Sequence, residues 1–584
     1  MRIWFVFAWV CAAAVCGVAP GETNVFEQPD SPQPAGEIDQ LVFPQLAEQH
    51  LQPRLCSDAV FVRRIYIDVL GKLPTAKEAS DFLQDADRAT KRARLIEAVL
   101  NRPEFADYWA MKWGDILRIK AEFPVNLWPN AAQAYHHWVK ESLAHNQPYN
   151  QFARELLTSS GSNFRVGPVN FYRAIQNRTP EGIARAVALT FMGARAELWP
   201  TNQLGGMTAF FSQIGYKPTG EWKEEIVFWD PLGLSGREGA PGRAAVTQIA
   251  PAAEDPGQFE VAARTNLPPA EGVFPDGTRV KLGSDRDPRE VFADWLIRPE
   301  NPWFTRAIVN RVWAWLLGRG IIQEPDDIRA DNPPSNPALL ACLEKELVAD
   351  HYDLKRFYQF VLNSQTYQLS PLPQRGNPNS RLPVYYLRRL DAEVLGDAIN
   401  EVTGTSDLYT SPIPEPFTYI PKDVPAVALP DGSISSPFLA LFGRSARATG
   451  MENERDNKPT PAQWLFLLNS SDLQRKLAQG TNIQAIVGFG GRSKPAARIA
   501  QELYLTILSR LPTQEEMDVL SSYGGSPRPN SRVRKAQPDR SNQADRVEKD
   551  ENAPSAKPVL VKTRQDWLDV AWALINSEEF LYRH

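Results

Sequence analysis

A short unit recurs at the two ends of this chain, and that recurrence limits the folds open to it. Ile65-Tyr66-Ile67-Asp68-Val69-Leu70-Gly71-Lys72-Leu73-Pro74-Thr75 is matched in type and spacing by Leu503-Tyr504-Leu505-Thr506-Ile507-Leu508-Ser509-Arg510-Leu511-Pro512-Thr513. Tyr504, Leu508, Pro512, Thr513 and Glu516 fall on Tyr66, Leu70, Pro74, Thr75 and Glu78. In both copies an apolar, helix-spaced run stops at Leu-Pro-Thr, and a Thr with a Glu three residues on forms a capping box that starts the next helix. In the first copy the helices are expected over Ala59 to Leu70, from Thr75 to about Leu83, and over Arg92 to Leu100, where Leu95, Ile96, Val99 and Leu100 make one stripe. Leu574-Ile575-Asn576-Ser577-Glu578-Glu579-Phe580 echoes Val99-Leu100-Asn101-Arg102-Pro103-Glu104-Phe105 at the unit's end.

A weaker echo lies inside. Phe152-Ala153-Arg154-Glu155-Leu156-Leu157-Thr158-Ser159 corresponds to Phe357-Tyr358-Gln359-Phe360-Val361-Leu362-Asn363-Ser364. The copies are too far apart for a regular solenoid. A helical packing unit used twice accounts for them. The middle differs: Glu224 to Asp230 reads as a strand, and Gly220 to Gly283 as loops with a small β element. The fold expected is mainly α, with two multi-helical domains, a small loop-rich, β-containing insertion between them, and repeated helical units at the two ends. The expected divisions are a signal peptide or anchor (1–19), a Pro-, Glu- and Gln-rich linker (20–45), a first helical domain (46–216), the insertion (217–285), a second helical domain (286–523), a disordered insertion (524–562) and a C-terminal helix (563–584) completing the second domain. The disordered stretch is Pro, Ser, Asn and charge with almost no aromatics, so it lacks the apolar surface that would offset ordering.

At 43% hydrophobic and 23% charged, the chain has apolar material for real cores. The formal net charge of −5 is spread along it, with no basic block in the folded-looking parts, so nucleic-acid binding is excluded. Met1-Arg2 followed by charge-free Ile3 to Val18 suits a signal-peptide core better than a span of roughly 20 residues. Export to the periplasm or cell envelope follows. The region around Ala19-Pro20 makes a poor cleavage site, so an uncleaved anchor over residues 3–18 is the alternative and the only expected membrane contact. Cys16 as a lipid-anchor cysteine fits poorly, because Val15 before it is not small. Cys11 and Cys16 lie in this leader, which leaves Cys56 and Cys342. They could pair in an oxidising compartment, or stand as two separate buried thiols.

Two segments resemble a known pair of families. Residues from about Val60 to Gln213 resemble the second of the planctomycete cytochrome-c-like domain families, through Arg63 to Thr75, then Val169-Asn170-Phe171-Tyr172-Arg173, then Thr190-Phe191-Met192-Gly193-Ala194-Arg195. Residues from about Asp287 to Ser370 resemble its companion domain of unknown function. They carry Asn310-Arg311-Val312-Trp313, Gly318-Arg319-Gly320-Ile321, Pro325-Asp326-Asp327 and Pro333-Pro334-Ser335-Asn336-Pro337. Pro437 to Arg444 and Leu467-Leu468-Asn469-Ser470 continue it. The resemblance implies a c-type haem box, Cys-x-x-Cys-His, soon after Arg195. Here Glu197 is followed at once by Leu198-Trp199-Pro200, and no such motif occurs anywhere in the chain. A c-type haem takes two thiolates and an axial His. Where the companion often has Cys-Glu-Cys-Glu-Arg, this chain reads Met451-Glu452-Asn453-Glu454-Arg455. Both departures remove sulfur ligands, so the expectation is a retained scaffold without haem, metal or other cofactor.

Candidate site residues follow from the same match. Asn310, Arg311, Asp326 and Asp327 fall on motif positions. Paired carboxylates beside an arginine suit acid/base work or cation binding. Alternatively, Arg311 pairs with an Asp to pin the loop after Gly318-Arg319-Gly320, and this is the favoured reading. His136 and His137 are adjacent and point about 100° apart on a helix, so they read as an exposed pair rather than a metal site. No zinc constellation forms with His50, His145, His351 and His584. Trp109, Trp113, Trp128 and Trp138 could stack on sugars but read as core, Trp109 and Trp113 being four apart. No serine elbow or phosphate loop is present. The expected function is a haem-less scaffold or binding component with a protein partner at the cell envelope. The alternatives are an extracytoplasmic enzyme acting on carbohydrate through an Asp326/Asp327 pocket and, third, electron transfer.

Overall fold

The computed structural model describes residues 24–233, 271–371, 382–488, 494–527 and 560–584. The leader, part of the middle insertion and the centre of the second insertion lie outside the described residues. The fold is mainly α, with strands confined to small sheets. The end units form as their caps dictate. In the first, helix Asp58–Leu70 starts at Ser57, whose hydroxyl accepts Val60 N–H, and stops at left-handed Gly71 (φ 65°). Helix Ala76–Gln84 follows with the reciprocal Thr75/Glu78 capping box, then helix Lys91–Leu100. In the second, helix Ala496–Leu508 stops at Ser509 (φ 60°), helix Gln514–Ser522 has the Thr513/Glu516 box, and Arg564–Ile575 takes the third place.

The two units keep the same acids but move the cation. Arg102 bridges Glu78 (2.6 Å) and Glu104 (2.5 Å) and lies over the Tyr66 ring. In the second copy Arg510, from the turn, bridges the equivalent Glu516 (2.7 Å) and Glu579 (2.6 Å) and lies over Tyr504. The copies also touch: Arg63, fully buried, donates to Ile507 O (2.8 Å) and Phe580 O (2.9 Å). The inner echo is a second pair, Pro129–Ala144 with Tyr149–Thr158 and Pro337–Ala349 with Leu354–Asn363. Their turns are left-handed at Asn146 (φ 52°) and His351 (φ 53°), and Tyr149 N–H bonds Tyr352 O.

Several boundaries move. The linker expected over 20–45 contains the start of helix Glu37–Glu48. Pro44 hid its stripe of Ile38, Val42 and Leu46, and buried Asp39 ties it to Gln365 N–H and Thr366 N–H. The middle sheet begins before 217: Ile214–Pro218 and Gly161–Ser162 flank Glu225–Trp229 as antiparallel neighbours, while Glu271–Val273 pairs with Arg279–Lys281. The insertion expected to be disordered over 524–562 is closed at its base, where Ser526–Pro527 pairs with Leu560–Val561. The C-terminal segment does more than complete the second unit, because Tyr582–Arg583 pairs with Arg388–Arg389 and sends Arg583 to Asp68.

The buried apolar side chains form one continuous core through both helical units. Its seam is aromatic. Trp109 and Trp113, from helix Glu104–Ile116, meet Trp315 of helix Phe304–Leu317 at 5.5 and 5.8 Å between ring centroids, and Trp109 meets Tyr358 at 4.4 Å. Each such pair adds about 0.5–1.5 kcal/mol beyond its buried area. Trp128 and Trp138 pack partly buried against the same core. Cys56 and Cys342 are both free thiols. His136 corrects the expectation of an exposed pair: it is buried, its Nε2 has no partner, and burial pushes its pKa down to about 3. Helix Pro129–Ala144 turns Ala132, Tyr135, His136 and Val139 inward, so that of the two histidines His137 is the exposed one. Among the described residues no helix is long and apolar enough to cross a membrane.

Candidate functional site

Asn310 and Arg311 sit in helix Phe304–Leu317, which ends at left-handed Gly318 (φ 94°). The chain then doubles back. Asn310 holds it there, donating to Ile322 O and accepting Ile322 N–H, both at 2.9 Å. A side chain at Gly320 would sit 2.3 Å from Ile322 O, so this return requires glycine. Arg311 is fully buried. It donates to Thr190 O (2.9 Å), Leu189 O (3.3 Å) and Asp326 Oδ1 (2.7 Å). The other oxygen of Asp326 accepts Glu452 N–H at 2.6 Å, and Glu452 Oε2 accepts Trp315 Nε1–H at 2.8 Å. Asp327 is not part of this group. It is half-buried and pairs with Arg329 at 3.3 Å. Arg311 and Asp326 therefore act together, with Arg311 reaching the first helical unit at Leu189 and Thr190, while Asn310 pins the loop between them.

This pair borders a much larger buried ionic network that sequence reasoning missed. Asp115 accepts from Arg447 (3.0 Å) and Arg455 (2.7 Å); Glu393 accepts from Arg455 (2.5 Å) and Arg444 (3.2 Å). Asp391 is bound by Lys112 (2.9 Å) and Arg583 (2.6 Å), and Arg583 continues to Asp68 (2.9 Å), which also accepts the Tyr367 and Tyr385 hydroxyls. Glu454 caps the turn before it by accepting Ala448 and Thr449 N–H. The Met451-Glu452-Asn453-Glu454-Arg455 stretch is thus a junction of this network through its charges.

Electrostatics match the geometry. Burial would raise the Asp391 carboxyl, but Lys112, Arg583 and Arg455 around it hold it well below the usual range. Burial works against Glu393 in the same way, and Arg455 and Arg444 bring it down to about 2. Glu452 shifts the other way: burial raises it, with Lys112 opposing and Asp326 adding. Buried ion pairs gain little net stability over apolar packing, but removing one partner strands a charge and costs about 3–5 kcal/mol. Such a network therefore specifies one arrangement of its segments. Both Asp326 oxygens are engaged and the residue is 2% exposed, so it is set for holding rather than for proton exchange with a ligand.

A surface groove of about 480 Å³ is lined by Pro34, Phe43, Pro44 and Leu51, and a cavity of about 40 Å³ by Ile399, Asp407, Phe438 and Lys476; none of the four candidates borders either. Among the described residues no group of three or more His, Cys, Asp or Glu is arranged to hold a metal ion.

A mainly helical protein whose two sequence units share one core and one ionic seam is the class these features define. Residues 37–196 match PSCyt2, a protein of unknown function (DUF1549), and residues 288–523 match PSD1, a protein of unknown function (DUF1553). The two matches stand in that order along the chain. No curated protein and no solved structure matches it.

Proposed function

We propose that the chain is a haem-less scaffold or binding component of an exported, cell-envelope complex. The observation that carries this is the ionic seam: Arg311 reaches the first unit at Leu189 and Thr190, Asp326 holds it there, and Asn310 pins the loop between them. Asp327 stands apart from Asp326, which counts against a two-carboxylate pocket for carbohydrate chemistry. The chain has no Cys-x-x-Cys-His, and Met451 and Asn453 stand where relatives often have thiols, which counts against electron transfer. Export rests on Met1-Arg2 and the apolar run to Val18.

An absorption spectrum and a metal analysis of the protein purified from its native compartment test the reading. The expected sample is colourless in the Soret region and free of stoichiometric metal. One haem or one metal ion per chain would overturn it, and His136, His137, Met451 and the acidic residues would then be searched for ligands.

A further inference from the structure

We infer that the surface built by Trp128, Trp222, Lys223 and Phe417 is a binding platform for a carboxylate-bearing polysaccharide. Large aromatics in this chain are as a rule interior; Trp109, Trp113 and Trp313 are all less than 2% exposed. Trp222 at 69% and Phe417 at 47% break that rule, and they do so together. The Lys223 ammonium lies 5.4 Å from the Trp222 ring and 5.9 Å from the Trp128 ring, and the Trp128 and Phe417 centroids are 5.3 Å apart. Phe123, 80% exposed, stands on the loop that leads to Trp128.

Three separate segments present these rings, and each is held. The loop before Trp128 is closed by Trp128 N–H to Ala121 O (3.0 Å) and Leu127 N–H to Lys120 O (3.2 Å). It is anchored below by Ala121 N–H to Asp431 and Glu122 N–H to Ser433. Trp128 itself sits at φ 74°, a conformation a bulky residue adopts only under constraint. Phe417 rides on a turn whose Phe417 and Thr418 N–H groups bond Pro414 O. Lys223, at φ 66°, forms the turn before strand Glu225–Trp229.

The chemistry selects the ligand. Exposed apolar groups gathered on one face mark interaction sites. The surface around the rings is polar, with Asn126, Glu221 and Glu415 exposed and Glu221 paired with Arg165 at 3.7 Å. A pyranose suits that pattern: its C–H faces lie on the electron-rich ring faces while its hydroxyls meet the polar surroundings. Lys223 forms no ion pair with any described residue, its ammonium resting on the two rings. That unpaired cation at the centre favours a carboxylate, hence a uronate sugar. The inference rests on the binding-component reading above, but haem content decides that reading and sugar retention decides this one, so the two fail separately.

Native electrophoresis of the full chain through gels containing polygalacturonate or, in parallel, uncharged hydroxyethylcellulose tests it. Expected are clear retardation by polygalacturonate, weaker retardation by the neutral glucan, about ten-fold weaker binding in Trp222→Ala and a comparable loss in Lys223→Gln. Val519→Ala, an exposed apolar change in helix Gln514–Ser522, should bind as the parent does. Trp222 is exposed enough that its removal leaves folding intact, which unchanged circular dichroism verifies. No retardation by polygalacturonate, equal retardation by the neutral polymer, or parental binding in Trp222→Ala would overturn the inference.

Discussion

Arg583→Met is expected to lower the free energy of unfolding by about 3–5 kcal/mol, the cost of removing one partner from a buried ion pair. Arg583 is 2% exposed and serves two carboxylates, Asp68 at 2.9 Å and Asp391 at 2.6 Å, with the Tyr108 hydroxyl at 3.2 Å. Asp68 comes from the first end unit and Asp391 from the start of helix Ala392–Thr403. One guanidinium thus ties the C-terminal strand to both. Methionine keeps most of the volume, so the loss reports charge rather than a cavity. Arg583→Lys should fall between the two, because a single ammonium cannot span both carboxylates as a planar fork does. Urea unfolding at neutral pH measures this. A change within about 0.5 kcal/mol, the range of ordinary surface substitutions, would mean the network does not bear on stability.

Arg455→Met should produce a loss of similar size, about 3–5 kcal/mol, together with an altered acid limb. Arg455 binds Asp115 and Glu393, and all three are buried or nearly so. Glu393 has its folded pKa depressed to about 2 by Arg455 and Arg444 against the opposing effect of burial. A depressed carboxylate contributes stability that is present above its unfolded pKa, about 4.3, and is lost as pH falls toward 2. Without Arg455 that depression shrinks, so the variant should lose less further stability than the parent between about pH 4.3 and pH 2. Unfolding curves of the two proteins across this window check the sign. Parallel pH profiles would remove Arg455 as the cause.

What could be read in advance divides along physical lines. The capping boxes at Thr75/Glu78 and Thr513/Glu516 involve residues three apart, so they are visible in any local reading. The Leu-Pro-Thr breaks mark the ends of the preceding helices, which the structure closes slightly earlier, at left-handed Gly71 and Ser509. The helix Glu37–Glu48 escaped because Pro44 and polar neighbours blurred its stripe, and what fixes it is remote: Asp39 bonds residues 365 and 366. The ionic seam is a tertiary property. Asp68 within Ile65 to Leu70, Asp115 beside Trp113 and Glu393 within Leu390 to Leu395 each stand out as a charge in an apolar stretch. Their partners, such as Arg583 for Asp68, lie hundreds of residues away. Arg311 with Asp326 was legible because both fall on the motif positions of the resemblance. Glu452 was not, although it lies in a stretch examined for its missing thiols. His136 was misplaced because it shares the buried face of its helix with Ala132, Tyr135 and Val139, which the pair of histidines taken alone does not reveal.

The central claim is that Arg311, held by Asp326, locks the two units together, and Asp326→Asn compared with Asp327→Asn tests it most directly. The two acids are adjacent in sequence and opposite in role: Asp326 is buried on Arg311 and Glu452 N–H, while Asp327 pairs with half-exposed Arg329. By urea unfolding, Asp326→Asn should lose about 3 kcal/mol, since it leaves Arg311 charged and uncompensated in the core. Asp327→Asn should stay within about 0.5 kcal/mol of the parent. Equal, small effects at both positions would contradict the lock and return these carboxylates to the list of groups free to act on a ligand.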